Sequence, residues 1–459
     1  MDTMAAAKNT GTASKSTDTV ETIRENRTFQ RLLAGSSVSM LGSHVTTIAY
    51  PLLVLRMTGS PFAAGCVAFA ATAPSILAYM PAGALVDRWD PRRAMLTSEF
   101  GRGMAIAAVA ITLALGWFVM WLLIVAAVVE GVLEVFSGLA ERRYVGSLVE
   151  GDQVSDALVR IEARTHVTLV AGRALGGLLF EIGPIVPFFT DVFTFVYSVV
   201  NLVRIRDGRP ADGIAAADQI PSSRDSLAKD IWQGLRWIYN DKFACRAIIT
   251  FSVGTLIFQA LIIVFLCYAH ARELSALAIG IVLAASGVGG AFGSAVASRV
   301  LDKFGYSWIN IQTFIWFFGF ALLALSTGQK FFFVAIIMAI LGFTGALGNI
   351  ALDTHIMQNA NKEILARVTS VSRMMMFAAC AIGPVIGGII VQELGIQRAM
   401  FYLFLLFFIT PVLLLISAVA PRRSRRQYDS KTSQGDAVPG DLILALTAPA
   451  LSGECDALG

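Results

Sequence analysis

"SPFAAGCVAFAATAPSILAYMPAGALVDRW", Ser60–Trp89, is an apolar run of near-membrane length that stops at a charged loop. A second copy follows 215 residues later as "SALAIGIVLAASGVGGAFGSAVASRVLDKF", Ser275–Phe304, with Ser60, Gly65 and Asp87 in register with Ser275, Gly280 and Asp302. Another pair, "GRALGGLLFEIG" from Gly172 and "GPVIGGIIVQELG" from Gly383, repeats at an offset of 211. Offsets this close differ only by small loop insertions. The chain therefore reads as two copies of one unit in the same order.

The rest of the chain has the composition of a membrane protein. Of its 459 residues 56% are hydrophobic and 15% charged, and the mean hydropathy is +0.68. The apolar residues fall in about twelve blocks near the ~20 residues that span a bilayer. The first six are Leu32–Leu55, Phe62–Val86, Ala94–Leu115, Phe118–Leu139, Ile161–Phe180 and Pro187–Ile205. The second six are Ala244–Ala269, Leu277–Leu301, Trp308–Ser326, Phe331–Leu352, Val368–Val391 and Met400–Val419. These runs are longer than the ~10 residues of a barrel strand and do not alternate.

The expected fold is an all-α membrane protein with twelve transmembrane helices in two pseudo-symmetric six-helix halves, at 29–206 and 244–420. An N-terminal tail (1–28), a central loop (207–243) and a C-terminal tail (421–459) flank and join them. Parallel duplication is a plan of two-halved secondary transporters, with a site between the halves near mid-membrane.

Lysine and arginine are concentrated in alternate loops. One side carries Arg24, Arg27 and Arg31, then Arg88, Arg92 and Arg93, Arg142 and Arg143, the central loop, Arg299 and Lys303, Lys362 and Arg367, and "PRRSRR" from Pro421. The other side has Arg56, Arg272, Lys330 and Arg398. The positive-inside rule predicts that both termini and the central loop are cytoplasmic in a multi-pass protein of the inner or plasma membrane. The formal net charge of +4 needs no nucleic-acid partner to explain it. Residues 1–25 contain no apolar core of a cleavable signal. Within the central loop, Leu227, Ile231, Leu235 and Ile238 recur at helical spacing, predicting an amphipathic helix on the cytoplasmic leaflet.

The loop "GALVDRWDPRR", Gly83–Arg93, carries the most specific motif. Gly83 permits close helix approach, Asp87 can accept hydrogen bonds from helix N-termini, and Arg88, Arg92 and Arg93 can pair with acids across the loop. With "PLLVLRMTGSPFAAG" (Pro51–Gly65), "DVFTFV" (Asp191–Val196) and the paired glycine helices, it resembles the major facilitator superfamily over about Phe29–Ala420. The branch it looks most like is that of the macrolide and siderophore exporters, often described as transmembrane secretion effectors.

That resemblance implies that Asp87 and its arginines form a gating motif stabilising the outward-facing state. It also implies that Gly172, Gly176, Gly177, Gly383, Pro384, Gly387 and Gly388 form a packing face that limits leak. The second-half gating copy keeps Asp302 but lacks the basic pair. The first-half packing copy has Arg173 where the second has Pro384. Relatives often carry an acid after "LG" in helix one, where this chain has Ser43, and an arginine early in helix four, where it has Ala127.

Proton coupling needs an ionisable group that reaches the cavity. The candidates for the substrate and proton pathway are Glu130, Glu134, His44 and Arg173. Glu130 and Glu134 stand one turn apart on helix four, and Arg173 lies at a depth similar to Glu130 on helix five. A Glu130–Arg173 pair is therefore expected at the cavity. Glu134 is alternatively a partner for Arg142 or Arg143, His44 a hydrogen-bonded core histidine, Asp191 a structural acid, and Glu99–Arg102 a local i,i+3 pair.

No catalytic constellation, metal site or cofactor is expected, because the four histidines stand on different helices and the five cysteines are scattered. No nucleotide-binding loop is present in the sequence, so the energy source is an ion gradient or the substrate's own. The expected activity is proton-coupled export of a small amphipathic compound by a monomer in the lipid bilayer, driven by the proton gradient. Import by the same fold and a membrane-embedded receptor are the alternatives.

Overall fold

Helix boundaries are set by capping chemistry rather than by where the apolar residues stop. The computed structural model describes residues 26–86, 89–148, 154–205, 224–304 and 331–406. All of these lie in one compact unit, Met1–Val412, and the second unit, Leu413–Gly459, is outside them. The first helix, α1 (Arg27–Thr58), starts where the Asn26 side chain accepts from Phe29 N–H. It ends at Gly59, whose φ of 63° suits the left-handed turn that returns its N–H to Leu55. After α2 (Pro61–Val86), α3 (Pro91–Ala114) opens on Asp90 as N-cap with Pro91 behind it.

The first half continues with α4 (Met120–Leu148), α5 (Val154–Ile182) and α6 (Val186–Arg204). Next is α7 (Arg224–Asn240), the expected amphipathic helix. The second half contains α8 (Lys242–Ala271), α9 (Ala276–Phe304), α10 (Phe331–Asn359), α11 (Lys362–Leu394) and the short apolar α12 (Ile396–Leu406). Among the described residues there is no strand, and nine helices are long and apolar enough to cross a membrane. Helix α5, interrupted by His166, Arg173 and Glu181, is not among the nine. The expected span Trp308–Ser326 and most of Met400–Val419 lie outside the described residues.

Several helices overrun their apolar runs on the basic side. Helix α4 passes through Arg142 and Arg143 to Leu148, and α5 begins at Val154, not Ile161. Charges there leave the hydrocarbon without breaking the backbone ladder, because Arg and Glu are good helix formers.

In the first half α2 and α3 pack on α4, and α1 packs on α5 and α6; in the second α9 packs on α10 and α8 on α11. The halves meet along two crossings, α2 on α11 and α5 on α9. Helix α7 docks on α11 instead of standing free. Gly234 faces Val371 and the Arg367 carbonyl, the Arg367 guanidinium donates to Gln233 Oε1, and Ile238 is buried.

Candidate functional site

The glycines of the duplicated motif show how the halves are joined. Gly172 and Gly176 press α5 onto His44 and Val45 of α1. Their counterparts Gly383 and Gly387 press α11 onto Leu256 and Ala260 of α8. The third glycine of each set crosses to the other half. A Cβ on Gly177 would lie 2.2 Å from the Ala276 carbonyl oxygen of α9, and one on Gly388 would lie 2.6 Å from the Pro61 carbonyl oxygen of α2.

The repeat partners Gly280 and Gly65 receive the carbonyls of Arg173 and Pro384, at 2.7 and 2.4 Å from the same hypothetical Cβ. Two backbone-on-backbone crossings thus close the end opposite the basic loops. Each carries a polar contact: Leu277 N–H donates to Glu181 Oε2 at 2.8 Å, and Ser60 Oγ donates to Gln392 Oε1 at 3.2 Å.

Away from these crossings, a cavity of about 450 Å³ runs between α5, α8, α9 and α10. Arg173 and Ser286 stand at its deep end, with Glu162, His166, Asn349 and Asp353 further toward the basic side. Phe258, Leu341 and a series of glycines form its flatter walls. This volume is within the ~300–1,000 Å³ range of small-molecule sites.

A second constellation is buried within the first half. Glu99, Arg102, Glu130 and Asp191 are 4%, 4%, 7% and 0% exposed. Arg102 donates to Ser43 Oγ at 2.7 Å and to Glu99 Oε1 at 3.4 Å, and its guanidinium lies 3.9 Å from Glu130 Oε1. Its planar face lies 4.9 Å over the Phe195 ring.

Glu99 also accepts from Ser39 at 2.6 Å and Ser137 at 2.9 Å, while Glu130 accepts from Tyr50 Oη at 3.3 Å. Asp191 accepts from Thr46 at 3.0 Å and Thr194 at 2.9 Å. The carboxylates whose charges act on Arg102 include all three, together with Glu134. One cation therefore faces three buried acids. Ionising all of them in a low-dielectric interior is costly, so the set has room for protons.

Several sequence expectations need correction. Glu130 and Arg173 do not pair. Glu130 turns to Arg102 and Tyr50, and Arg173 Nη1 donates to Leu283 O at 3.2 Å and Ser286 Oγ at 3.0 Å in the other half. Equal depth on antiparallel helices did not bring them together because α4 faces α2 and α3 far more than α5. The expected i,i+3 pair of Glu99 and Arg102 is present at 3.4 Å, and it is also the centre of this network.

Glu134 is exposed, one turn from Glu130. His44 has its Cβ against Gly172, and its buried Nε2 finds no partner among the described residues. Tyr50 and Ser39 were not among the sequence candidates, and Ser43, noted only as a departure from relatives, accepts from Arg102. A glutamate and an arginine three apart inside an apolar span were the available signal.

The Gly83–Arg93 loop, expected to act as a gate, is described in part. Asp87 and Arg88 are outside the described residues, as is the side chain of Asp302, while Gly83 and Asp302 stand in α2 and α9. Arg92 sits on the end of α6, donating to Leu202 O at 3.1 Å and Val203 O at 3.0 Å. Arg143 does the same for α2 by donating to the Val86 carbonyl. Both arginines meet the negative, unsatisfied end of a helix. Arg93 is exposed, and its backbone N–H closes the Asp90 cap.

A profile of the family described as transmembrane secretion effector matches residues 22–443. Among similar proteins is the multidrug efflux pump Tap of Mycolicibacterium fortuitum, 27% identical over 425 residues, covering 88% of this chain and 97% of that protein. The protein of the same name from Mycobacterium tuberculosis (strain ATCC 25618 / H37Rv) is 23% identical over 383 residues, covering 80% and 87%. Of solved structures, the nucleoside transporter NupG aligns with a TM-score of 0.69 at 12% identity, over 86% of this chain and all of that one. With the duplicated crossings, the cavity and the matching profile together, the chain belongs to the transmembrane secretion effector family of major facilitator superfamily transporters, and is a multi-pass membrane transporter rather than an enzyme.

Proposed function

We propose that the protein exports a small amphipathic compound, of the antibiotic, macrolide or siderophore kind, across the cell membrane by alternating access in exchange for protons. Both termini and α7 face the cytoplasm in this reading, and a single chain is the working unit. The carrying observation is the excess of buried acid over base around Arg102, where Glu99, Glu130 and Asp191 share one guanidinium. A proton arriving at Glu130 releases part of Arg102's attraction to α4 and loosens α3 from it. Coupling needs such a link between charge and helix packing. The backbone closure at one end and the cavity toward the other support alternating access, and the names of the Tap relatives support export.

The test uses purified protein in proteoliposomes with an imposed pH gradient and a panel of labelled antibiotics and siderophores. Wild-type protein accumulates substrate only with the gradient, and an uncoupler abolishes this. Glu130→Gln keeps substrate counterflow but loses gradient-driven accumulation by at least about ten-fold, the scale of a ~1.4 kcal/mol change in coupling. Wild-type flux that ignores the gradient would sink proton coupling. Higher accumulation in cells that carry the gene would reverse the direction.

A further inference from the structure

Three arginines inside the first half, Arg102 and Arg164 buried and Arg173 half-buried, are not treated alike. Arg102 meets Glu99 and Glu130, and Arg164 is held by both oxygens of Glu141, one bond measuring 3.0 Å. Arg173 has no such acid. Its Nη1 is spent on a carbonyl and a hydroxyl of α9, both neutral, and among the described residues no carboxylate lies within ion-pairing distance of it.

The Cys380 thiol of α11 and His44 of α1 are within electrostatic reach of it, and neither supplies a balancing negative charge in its neutral form. Glu162, on the same helix and also lining the cavity, is eleven residues away, or about 16 Å at 1.5 Å per residue. A guanidinium has five donors in a planar fork, and two bonds from one nitrogen fix its orientation while leaving the rest of the fork unspent. None of its nitrogens is both buried and unpartnered, so the unspent edge has access to the cavity it lines.

A cation at mid-membrane without a counter-charge costs several kcal/mol, and among the described residues no carboxylate within ion-pairing distance offers one. We propose that the counter-charge is supplied by the cargo. The transported compound carries an acidic group, a carboxylate or an acidic enol or phenol, and docks it on the Arg173 fork at the deep end of the α5–α8–α9–α10 cavity. The apolar body lies along Phe258, Leu341 and the flat glycine walls. Nearer the basic side the acids already have neighbours, Asp353 in an ion pair with Arg373 at 3.8 Å and Glu162 beside His166 at 3.7 Å, so they do not compete for Arg173. Bidentate geometry makes this contact specific for planar oxyanions. The assignment rests on the transporter reading and narrows its substrate class.

The full chain is purified into nanodiscs of phosphatidylcholine alone, which excludes anionic lipid as the source of the charge. Its thermal unfolding is then measured with a panel of amphipathic aromatic carboxylic acids and their methyl esters. Acids of the panel raise the unfolding temperature and their esters do not. Arg173→Gln weakens acid binding by ten-fold or more, and Arg173→Lys retains part of it. Ser286→Ala, which leaves the charge but removes one of its two anchors, weakens it by a few-fold and serves if the arginine variants fail to fold.

Esters that bind as well as their acids, a panel in which no acid binds, or unchanged acid binding in a folded Arg173→Gln protein would overturn the assignment. Acid binding that survives while no compound moves with the pH gradient would instead sink the coupled-export reading and leave the Arg173 site standing.

Discussion

The two halves descend from one repeat, yet they have divided their chemistry. Both keep the same three glycines on corresponding helices and use them on corresponding neighbours. In the first half, six charged side chains are buried among the described residues: Glu99, Arg102, Glu130, Glu141, Arg164 and Asp191. In the second, the buried polar groups among the described residues are Thr250, Ser286, Thr344, His355 and Ser372, with no acid or arginine among these. Packing is thus the constraint that duplication carried forward twice, whereas buried charge was needed once.

The sharpest way to break this contrast is to remove the charge at its centre. Arg102→Gln strands Glu99 and Glu130 in the interior and should lower stability by about 3–5 kcal/mol, the usual cost of breaking one side of a buried pair. Thr344→Val, equally buried in the second half and hydrogen-bonded to its own helix at Ile340, should cost about 1 kcal/mol or less. Thermal unfolding in detergent compares them, and equal losses would erase the distinction between the halves.

The packing symmetry is tested next. Gly177→Leu and Gly388→Leu each drive a side chain into the backbone of the facing half. Both should cost about 1–3 kcal/mol and open the far end, read as faster labelling of a Ser60→Cys reporter by an impermeant thiol reagent. Gly138→Ala, where an added Cβ meets nothing within 4 Å, is the control and should change neither. An effect at only one crossing would show that a single hinge carries the closure.

The smallest effect is expected at the gating loop. Arg92→Gln removes the charged cap from α6 and should cost about 1 kcal/mol, seen as faster amide exchange at Leu202 and Val203.

Most of the fold was legible because bilayer thickness imposes a length on apolar runs and duplication supplied an internal check. Among the described residues helices stand where hydrophobicity put spans, but their ends do not match. Hydropathy marks where lipid stops, whereas Asn26, Gly59 and Asp90 decide where the backbone ladder stops. The candidate site was legible in its members more than in its pairings. Glu130 and Arg173 stood out as charges in hydrocarbon, and both are at polar sites of the bundle. Their partners were set by which helices touch, and depth along a helix says nothing about that. Arg102 was within view in "SEFGRG", Ser98–Gly103, but a helix-four arginine was sought and helix three supplied it.

The arginines at the ends of α2 and α6 have a consequence for how the protein is made. In the proposed orientation, Arg92 and Arg143 belong to the cytoplasmic basic residues of the kind that orient a chain as it enters the membrane. The same guanidiniums later take the last carbonyls of α6 and α2. A label read during insertion becomes a fastening in the finished bundle, so drift in these residues is penalised at two separate stages of the protein's life. Relocating the positive charge a few residues along the loop would preserve the insertion signal and still fray a helix.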